Sequence, residues 1–486
     1  MRTLIRGGWI VGYQNGHHAI LPNGVVVVED DRILYVGPRF EGQVDRTIEA
    51  RHKLVSPGFV NIHALANIDL QTLMLDTHAT GLASSPAYAL EGKGRLEFSG
   101  DQLLASTRFS LIQLLKGGST TIVEITTMAP SRFEVPRAEA PTLAEVAGEL
   151  GARIYVSHKF RAGKRYLDPN NGWKYHWDNN AAHSALEYAK EIVEQYEGTY
   201  NDRVRTMIFP YQFDACRPDL LQEAKQAARE LDVPLHMHTA QTLFEFHDSL
   251  RRYNKTPVQL LDSIDFLDPK TILTHLIYTT LHPASGYPRG DTSDLQIVAD
   301  RGTSVAHCAV VYARRNRILD SFSRYRALGI NVPIGTDTFP QDMIEEMRWT
   351  AFGSKLQERD GNRGTAHDVF KAATLAGARA LGRDDLGRLS PGAKADLVIV
   401  DFGGLHIGPV DDPIKTLVYA ANGSDIETVI VDGKIVVDRG QVPGIDEPQL
   451  IAQATAAHLW QKDQFVAQNP GQESGSVFFP TSYPEI

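Results

Sequence analysis

Five side chains of this sequence recur at one kind of place. His63, His238, His275, His307 and Asp337 each stand at or next to the end of a short apolar run: GFVNIH, VPLHMHT, TILTH, TSVAHC and NVPIGTD. A single histidine there reads as an ordinary hydrogen-bonded residue near the surface. Repeated at corresponding positions of successive runs, the imidazole nitrogens and the carboxylate oxygen make a donor set suited to a divalent cation such as Zn²⁺. A catalytic metal needs about three protein ligands and one open position for water, and the set supplies them. The chemistry it points to is that of a metal ion with an open position for water.

Such side chains converge only if the runs are parallel strands of one sheet. The middle of the chain alternates short apolar strands, predicted at residues 58–63, 119–126, 152–159, 204–211, 233–239, 271–275, 303–308 and 331–337, with amphipathic helices such as 219–232 and 342–357. Strand–helix alternation repeated this often predicts an α/β chain folded as a (β/α)8 TIM-like barrel, whose active face lies at the carboxyl ends of the strands. The two ends of the chain have another texture. NGVVVV and RILYV near the start, and DLVIVDF and TVIVDGKIVVDRG near the end, carry Asn-Gly and Asp-Gly turn signals among β-branched runs. They predict a small β-sandwich domain built from both chain ends. Residues 1–56 and 386–445 would form it, 57–385 the catalytic barrel, and 446–486 a C-terminal helix and tail.

Composition narrows the partners. The chain has 486 residues, 42% of them hydrophobic, with 49 Lys and Arg against 59 Asp and Glu and a formal net charge of −10. That balance excludes wholesale disorder and argues against a nucleic-acid partner, whose phosphates need a basic face. No apolar stretch reaches the roughly 18–20 residues of a membrane span, and the start has no signal-peptide core. A soluble cytoplasmic protein with a small-molecule substrate is the expectation. The two cysteines, Cys216 and Cys308, provide neither a disulfide scaffold nor a CxxC zinc site, and both read as small buried hydrophobes.

PGFVNIH (57–63), HTAQT (238–242), LTH (273–275), AHC (306–308) and GTDTFPQDMIEEMR (335–348) resemble the amidohydrolase superfamily, nearest its cytosine deaminase and triazine hydrolase-like branch. LSPGAKADLVIVD (389–401), followed by VDGKIVVDRG, is similar to the motif that closes the β-sandwich of that family. The resemblance implies a homo-oligomeric hydrolase with one divalent metal ion, zinc first and iron, cobalt or manganese after it. Carried over residue by residue, it implies His63, His238, His275 and Asp337 as metal ligands. It gives His275 and Asp337 roles in activating water and moving its proton, and His307 a place facing the substrate.

Two positions depart from the family pattern. Its first-strand HxH reads His63-Ala64-Leu65 here, and a leucine cannot bind metal. Weaker metal retention than at a complete site is the expectation. Where the branch has a proton-shuttling glutamate, this chain has Gln241, which can hydrogen-bond and orient a substrate but has no titratable proton. Ring deamination and dechlorination lean on that glutamate. The leading expectation is therefore hydrolysis of a C–N bond of amide, carbamate or urea type. A heterocycle aminohydrolase (deaminase) or dechlorinase is the alternative within enzymes, and a degenerate, non-catalytic or metal-free ligand-binding barrel the alternative outside them.

A binuclear centre would need a bridging lysine. Lys159 is the one near the right place, and it reads instead as salt-bridging or substrate-facing, so the centre is taken as mononuclear. Arg161, Lys164 and Arg165 read as a solvated cluster, ahead of a loop meeting a carboxylate or carbonyl, and Trp173, Tyr175 and Trp177 as a loop that either covers the barrel mouth or packs against the barrel or another subunit. His78 is a weaker substitute ligand. Glu124 is expected to be buried and structural, and Glu345 and Glu346 to form a solvated helix face or to lie behind the ligands.

Overall fold

The structure is a computed structural model that describes residues 1–68, 90–91, 97–125, 133, 136–468, 479 and 481–483. His78 and most of the segment after Ala467 lie outside the described residues. Strands β1 (Arg2–Gln14), β2 (His17–Pro22), β3 (Val25–Glu29), β4 (Arg32–Gly37) and β5 (Arg46–Pro57) open the chain. The barrel strands follow: β6 (Phe59–Ala64), β7 (Ser119–Glu124), β8 (Arg153–Val156), β9 (Lys159–Phe160), and, after a hairpin of β10 (Gly163–Asp168) and β11 (Gly172–Trp177), β12 (Val204–Thr206), β13 (Phe209–Pro210), β14 (Leu235–Thr239), β15 (Thr271–His275) and β16 (Ser304–Ala306). Strands β17 (Leu397–Asp401), β18 (Ile426–Val431) and β19 (Lys434–Val437) and a helix over Glu447–Ala467 close it.

Parallel pairing runs β12–β8–β7–β6 on one side and β14–β15–β16 on the other. Single bridges between Ile208 and Leu235 and between Gln212 and His238 join the two arcs. The eighth position is taken by 331–337, which is too irregular to form a full strand. It still closes the ring: Val305 N donates to Asn331 O, Ile62 N to Ile334 O, and Asp337 N to His63 O. Its irregularity has a physical source. Asp337 itself has a φ of 56°, and Gly335 lies so close to the first strand that a Cβ there would sit 2.5 Å from His63 N.

The eight strand positions are those the apolar runs predict, and the helices Pro218–Glu230 and Met343–Glu358 fall within a residue or two of the predicted spans. Strands buried on both faces read as near-continuous apolar runs because helices cover them outside and side chains fill them inside. At the chain ends the pattern predicts a two-layered sandwich. The structure has one continuous eight-stranded sheet of order β19–β18–β17–β5–β1–β3–β4, with β2 added on β1. Strands from both ends thus share one sheet, with a core that includes Ile5, Val26, Val55, Leu397, Ile399 and Ile430.

The motif 389–401 fastens this sheet to the floor of the barrel. Arg153, fully buried at the start of β8, pairs with Asp396 at 2.9 Å and also reaches Asp432. Lys394 adds contacts to Asp31 at 2.8 Å and Asp432 at 3.3 Å. Among the described residues, no helix is long and apolar enough to cross a membrane.

Candidate active site

His63 ends β6, His238 and His275 lie on β14 and β15, and Asp337 follows the irregular eighth segment, so all four face the carboxyl ends of the strands. A polar seam sets the first against the last. Asn61 donates to Thr336 Oγ1 at 2.9 Å and accepts from Thr336 N at 3.1 Å. Thr336 Oγ1 donates to Gln341 Oε1, and Gln341 Nε2 donates to the Leu65 carbonyl at 2.8 Å. With these bonds made in the barrel interior, His63 Nε2 stands 4.0 Å from Asp337 Oδ2, and His275 Nε2 stands 3.8 Å from the same oxygen.

The rings are packed together. His63 lies 5.0 Å from His238 and 5.3 Å from His275, centroid to centroid, and His238 stacks on His275 at 5.3 Å. The Nδ1–H of His238 donates to the Tyr211 carbonyl at 2.6 Å, which leaves Nε2 as its lone-pair nitrogen, the arrangement a metal-binding imidazole needs. His236, a step deeper on the same strand, approaches His63 Nδ1 at 3.1 Å and also meets Thr274. Burial, followed by the neighbouring imidazoles, holds the His63, His236 and His275 rings well below the usual histidine range. Burial brings His238 and His307 down to about 4. All are therefore neutral near pH 7 and able to donate a lone pair.

The residues fit a divalent cation on two observations. Among the described residues, His63 Nε2 and both ring nitrogens of His275 are buried without a hydrogen-bond partner, a costly state unless something else engages them. One ligand atom each from His63, His238 and His275 also lie within 4.8 Å of one another. A second such group combines His63, Cys308 and Asp337. The sequence-predicted ligands His63, His238, His275 and Asp337 thus come together, while His307 stands just outside, near enough to depress His275.

Leu65 adds no donor to this chemistry. Its side chain is buried with Val60, Ile62, Val123 and Tyr155, and only its backbone serves the seam. Gln241 donates to the hydroxyl of Tyr312, whose ring lies 4.4 Å from that of His275. Tyr312 is a mouth residue the sequence analysis missed. Its run AVVYARRN looks like ordinary helix, and only the neighbouring AHC motif hinted at it. Beneath Gln241, Glu245 accepts from Ala240 N at 2.8 Å and Gln241 N at 3.0 Å. Burial and then Asp214 push this carboxyl up to about 8.

Two expectations need correction. Trp173, Tyr175 and Trp177 do not form a loop: they lie on β11, paired with β10 in a hairpin, because alternate side chains find partners on one side. Tyr175 stacks on Trp177 at 5.2 Å and donates to Asp214 at 2.8 Å, while Trp173 packs 5.0 Å from Phe244. The basic cluster beside it is not fully solvated. Arg165 pairs with Asp214 at 3.0 Å, Lys164 is largely buried against Phe133, and Arg161 lies over Tyr211. Of its two expected places, Glu346 takes the one behind the mouth and not the solvated face. It is fully buried and accepts from Ala309 N and from Val310 N at 3.2 Å, so it pins the backbone that follows His307 and Cys308. Glu124 is buried as expected and accepts from Ala66 N at 3.1 Å. Lys159 is buried beside Tyr211 and held down to about 8 by burial, against the pull of Glu139 and Glu97.

A barrel of this kind, with histidines and an aspartate at its carboxyl-end mouth, defines a metal-centred hydrolase class. The sequence matches the model of the amidohydrolase family over residues 54–436, and the chain belongs to that family. It is a hydrolase acting on carbon–nitrogen bonds. It is 31% identical over 450 residues, 90% of this chain and 95% of the other, to a 5-methylthioadenosine/S-adenosylhomocysteine deaminase from Moorella thermoacetica. To a 5'-deoxyadenosine deaminase from Methanosarcina mazei it is 26% identical over 90% of this chain and 93% of the other. The fold is similar to that of a zinc-bound adenosine deaminase from Xanthomonas campestris, with a TM-score of 0.77 and 23% identity over 95% of this chain and 98% of the other. A zinc complex of an atrazine chlorohydrolase from Arthrobacter aurescens gives 0.78 and 22% over 94% and 99%. The names of these sequence relatives favour the aminohydrolase alternative over the amide-type reading that led from sequence.

Proposed function

We propose that this chain is a metal-dependent aminohydrolase, which replaces the amino group on a ring carbon of a purine-nucleoside-like substrate by the oxygen of water and releases ammonia. The observation that carries the reading is the meeting of His63, His238, His275 and Asp337 at the barrel mouth with unpartnered imidazole nitrogens among them. The nucleoside class is supported by relatives named as deaminases of 5-methylthioadenosine and 5'-deoxyadenosine. The four residues would hold one divalent ion, zinc as in the solved relatives. When bound, such an ion supplies Lewis acidity and lowers the pKa of a water molecule.

The other work falls to the chain. Asp337 takes the proton of the attacking water and passes it to the departing nitrogen. His275 stands 3.8 Å from that carboxylate and would hold the ion beside it. Gln241 and the Tyr312 hydroxyl it meets hold a ring nitrogen by hydrogen bonds, and His307 faces the substrate from the next strand. Residues 57–385 act as the catalytic unit, with 1–56 and 386–445 supporting it and 446–486 closing the chain.

A second reading is favoured by Gln241 alone. Without a titratable proton at that position, hydrolysis of an amide, carbamate or urea bond asks less of the site. A panel of adenosine-type nucleosides, aminopyrimidines, anilides, carbamates and phenylureas separates the two, with ammonia and organic amine measured separately. Ammonia from nucleosides supports the first reading. Amine from the acylated compounds transfers the function to the second, and no turnover of any by metal-loaded protein overturns both.

A further inference from the structure

The first strand lacks the second histidine of the HxH pair, yet the mouth holds a further donor. Cys308 directly follows His307 and is fully buried. Its Sγ, a ring nitrogen of His63 and a carboxylate oxygen of Asp337 lie within 4.8 Å of one another. Metal bonds of about 2.0–2.3 Å to nitrogen, oxygen and sulfur place neighbouring donors of a tetrahedral shell roughly 3.3–3.8 Å apart, so inward movement of up to about an ångström closes the shell. The cysteine is not alone in facing that point. His63 Nε2, also fully buried, has no hydrogen-bond partner among the described residues and stands 4.0 Å from Asp337. The backbone that carries Cys308 is held firmly, since Gly335 N donates to His307 O at 3.0 Å and Glu346 clamps the next two amides.

We propose that Cys308 is a metal ligand of this chain, its sulfur filling the coordination position that Leu65 cannot. The proposal rests on the metal site read above and sharpens it to a mixed set of imidazole, carboxylate and thiolate. On binding, the S–H bond gives way to a sulfur–metal bond and the proton leaves to solvent. Thiolate favours a borderline-soft ion such as zinc or cobalt over magnesium or manganese. It adds to the preference the imidazoles already carry.

Cobalt(II) loaded into the full chain is the probe. The expected result is about one cobalt per chain with a near-ultraviolet thiolate-to-cobalt charge-transfer band. The band disappears in Cys308→Ser and persists in Cys216→Ser, whose sulfur lies instead 3.9 Å from the Phe160 carbonyl. In Cys308→Ser the dissociation constant for cobalt rises roughly 10–100-fold, at least the loss that follows removal of a supporting partner behind a metal ligand. Cobalt bound to the unaltered protein without the band overturns the role of Cys308 and leaves the metal site standing. A band that survives in Cys308→Ser overturns it equally. Failure of the unaltered protein to take up cobalt at all overturns both the thiolate and the metal reading. The wild-type spectrum decides even if a variant misfolds.

Discussion

The two ends of the barrel bury polar groups in opposite ways. At the floor, Arg153 meets Asp396 through two nitrogens, reaches Asp432, and donates to the Asp202 carbonyl at 3.1 Å. Lys394 balances the remaining carboxylate charge. At the mouth, equally buried imidazoles stand with ring nitrogens that meet no partner among the described residues. A buried pair is worth little net, but breaking one is expensive because it leaves a charge uncompensated. The floor therefore spends its polar groups on joining sheet to barrel. The mouth keeps its polar groups open for an ion and a substrate. Among the described residues, unmade hydrogen bonds also occur elsewhere, as at Arg203 Nε beside the floor, and what sets the mouth apart is that several imidazole nitrogens with unmade bonds converge on one point.

The contrast can be broken or sharpened from its largest expected effect downward. Asp337→Ala is expected to lower kcat by roughly 10²–10⁴-fold, the scale of a lost general acid–base group. Steady-state kinetics at saturating substrate check it, and unchanged turnover would refute both enzyme readings. Arg153→Leu is expected to lower the free energy of unfolding by about 3–5 kcal/mol, because Asp396 and Asp432 remain buried without it. Metal affinity should stay as it was. A denaturant titration with a loss below about 1 kcal/mol would place floor and mouth on the same footing.

Acid should strike the mouth next. His63, His236, His238, His275 and His307 are depressed in the fold, so the unfolded chain binds more protons as pH falls below the unfolded value of 6.5. Their stabilising contribution is whole above that value and is lost on the way down to about 4 for His238 and His307. Glu245 and Glu346, raised to about 8, act with the opposite sign between 4.5 and 8, and they are outnumbered. Metal-free protein should thus lose stability between pH 6.5 and pH 4, at about 1.4 kcal/mol per unit for each net proton. Denaturant midpoints that rise on acidification would contradict this. Smaller again, Tyr312→Phe should cost roughly tenfold in kcat/KM, one hydrogen bond to substrate, with little change in metal content. Thr336→Val, which cuts the seam between Asn61 and Gln341, should cost about 1 kcal/mol of stability.

What the sequence makes legible follows the same division. The barrel strands announce themselves because burial on both faces turns each into an apolar run, and their ends place His63, His238, His275 and Asp337 in register. Leu65 and Gln241 are visible as departures because each changes a donor or a proton. Tyr312, Cys308 and Glu346 are hidden for another reason: each acts through a partner from a different strand or helix. Glu346 sits on the helix Met343–Glu358 and serves amides at positions 309 and 310. Such long-range pairs leave no periodicity. The β10–β11 hairpin escapes notice because Trp173, Tyr175 and Trp177 alternate as a strand does but stand among charged and polar residues that read as a loop. Its partners, Asp214 and Phe244, lie far along the chain.

The most direct test of the account is a titration of turnover against bound metal. Protein stripped with a chelator should release no ammonia from adenosine-type nucleosides. Activity should return in proportion to added zinc and level off at one ion per chain. Full turnover by stripped protein with no ion detectable by elemental analysis would contradict it.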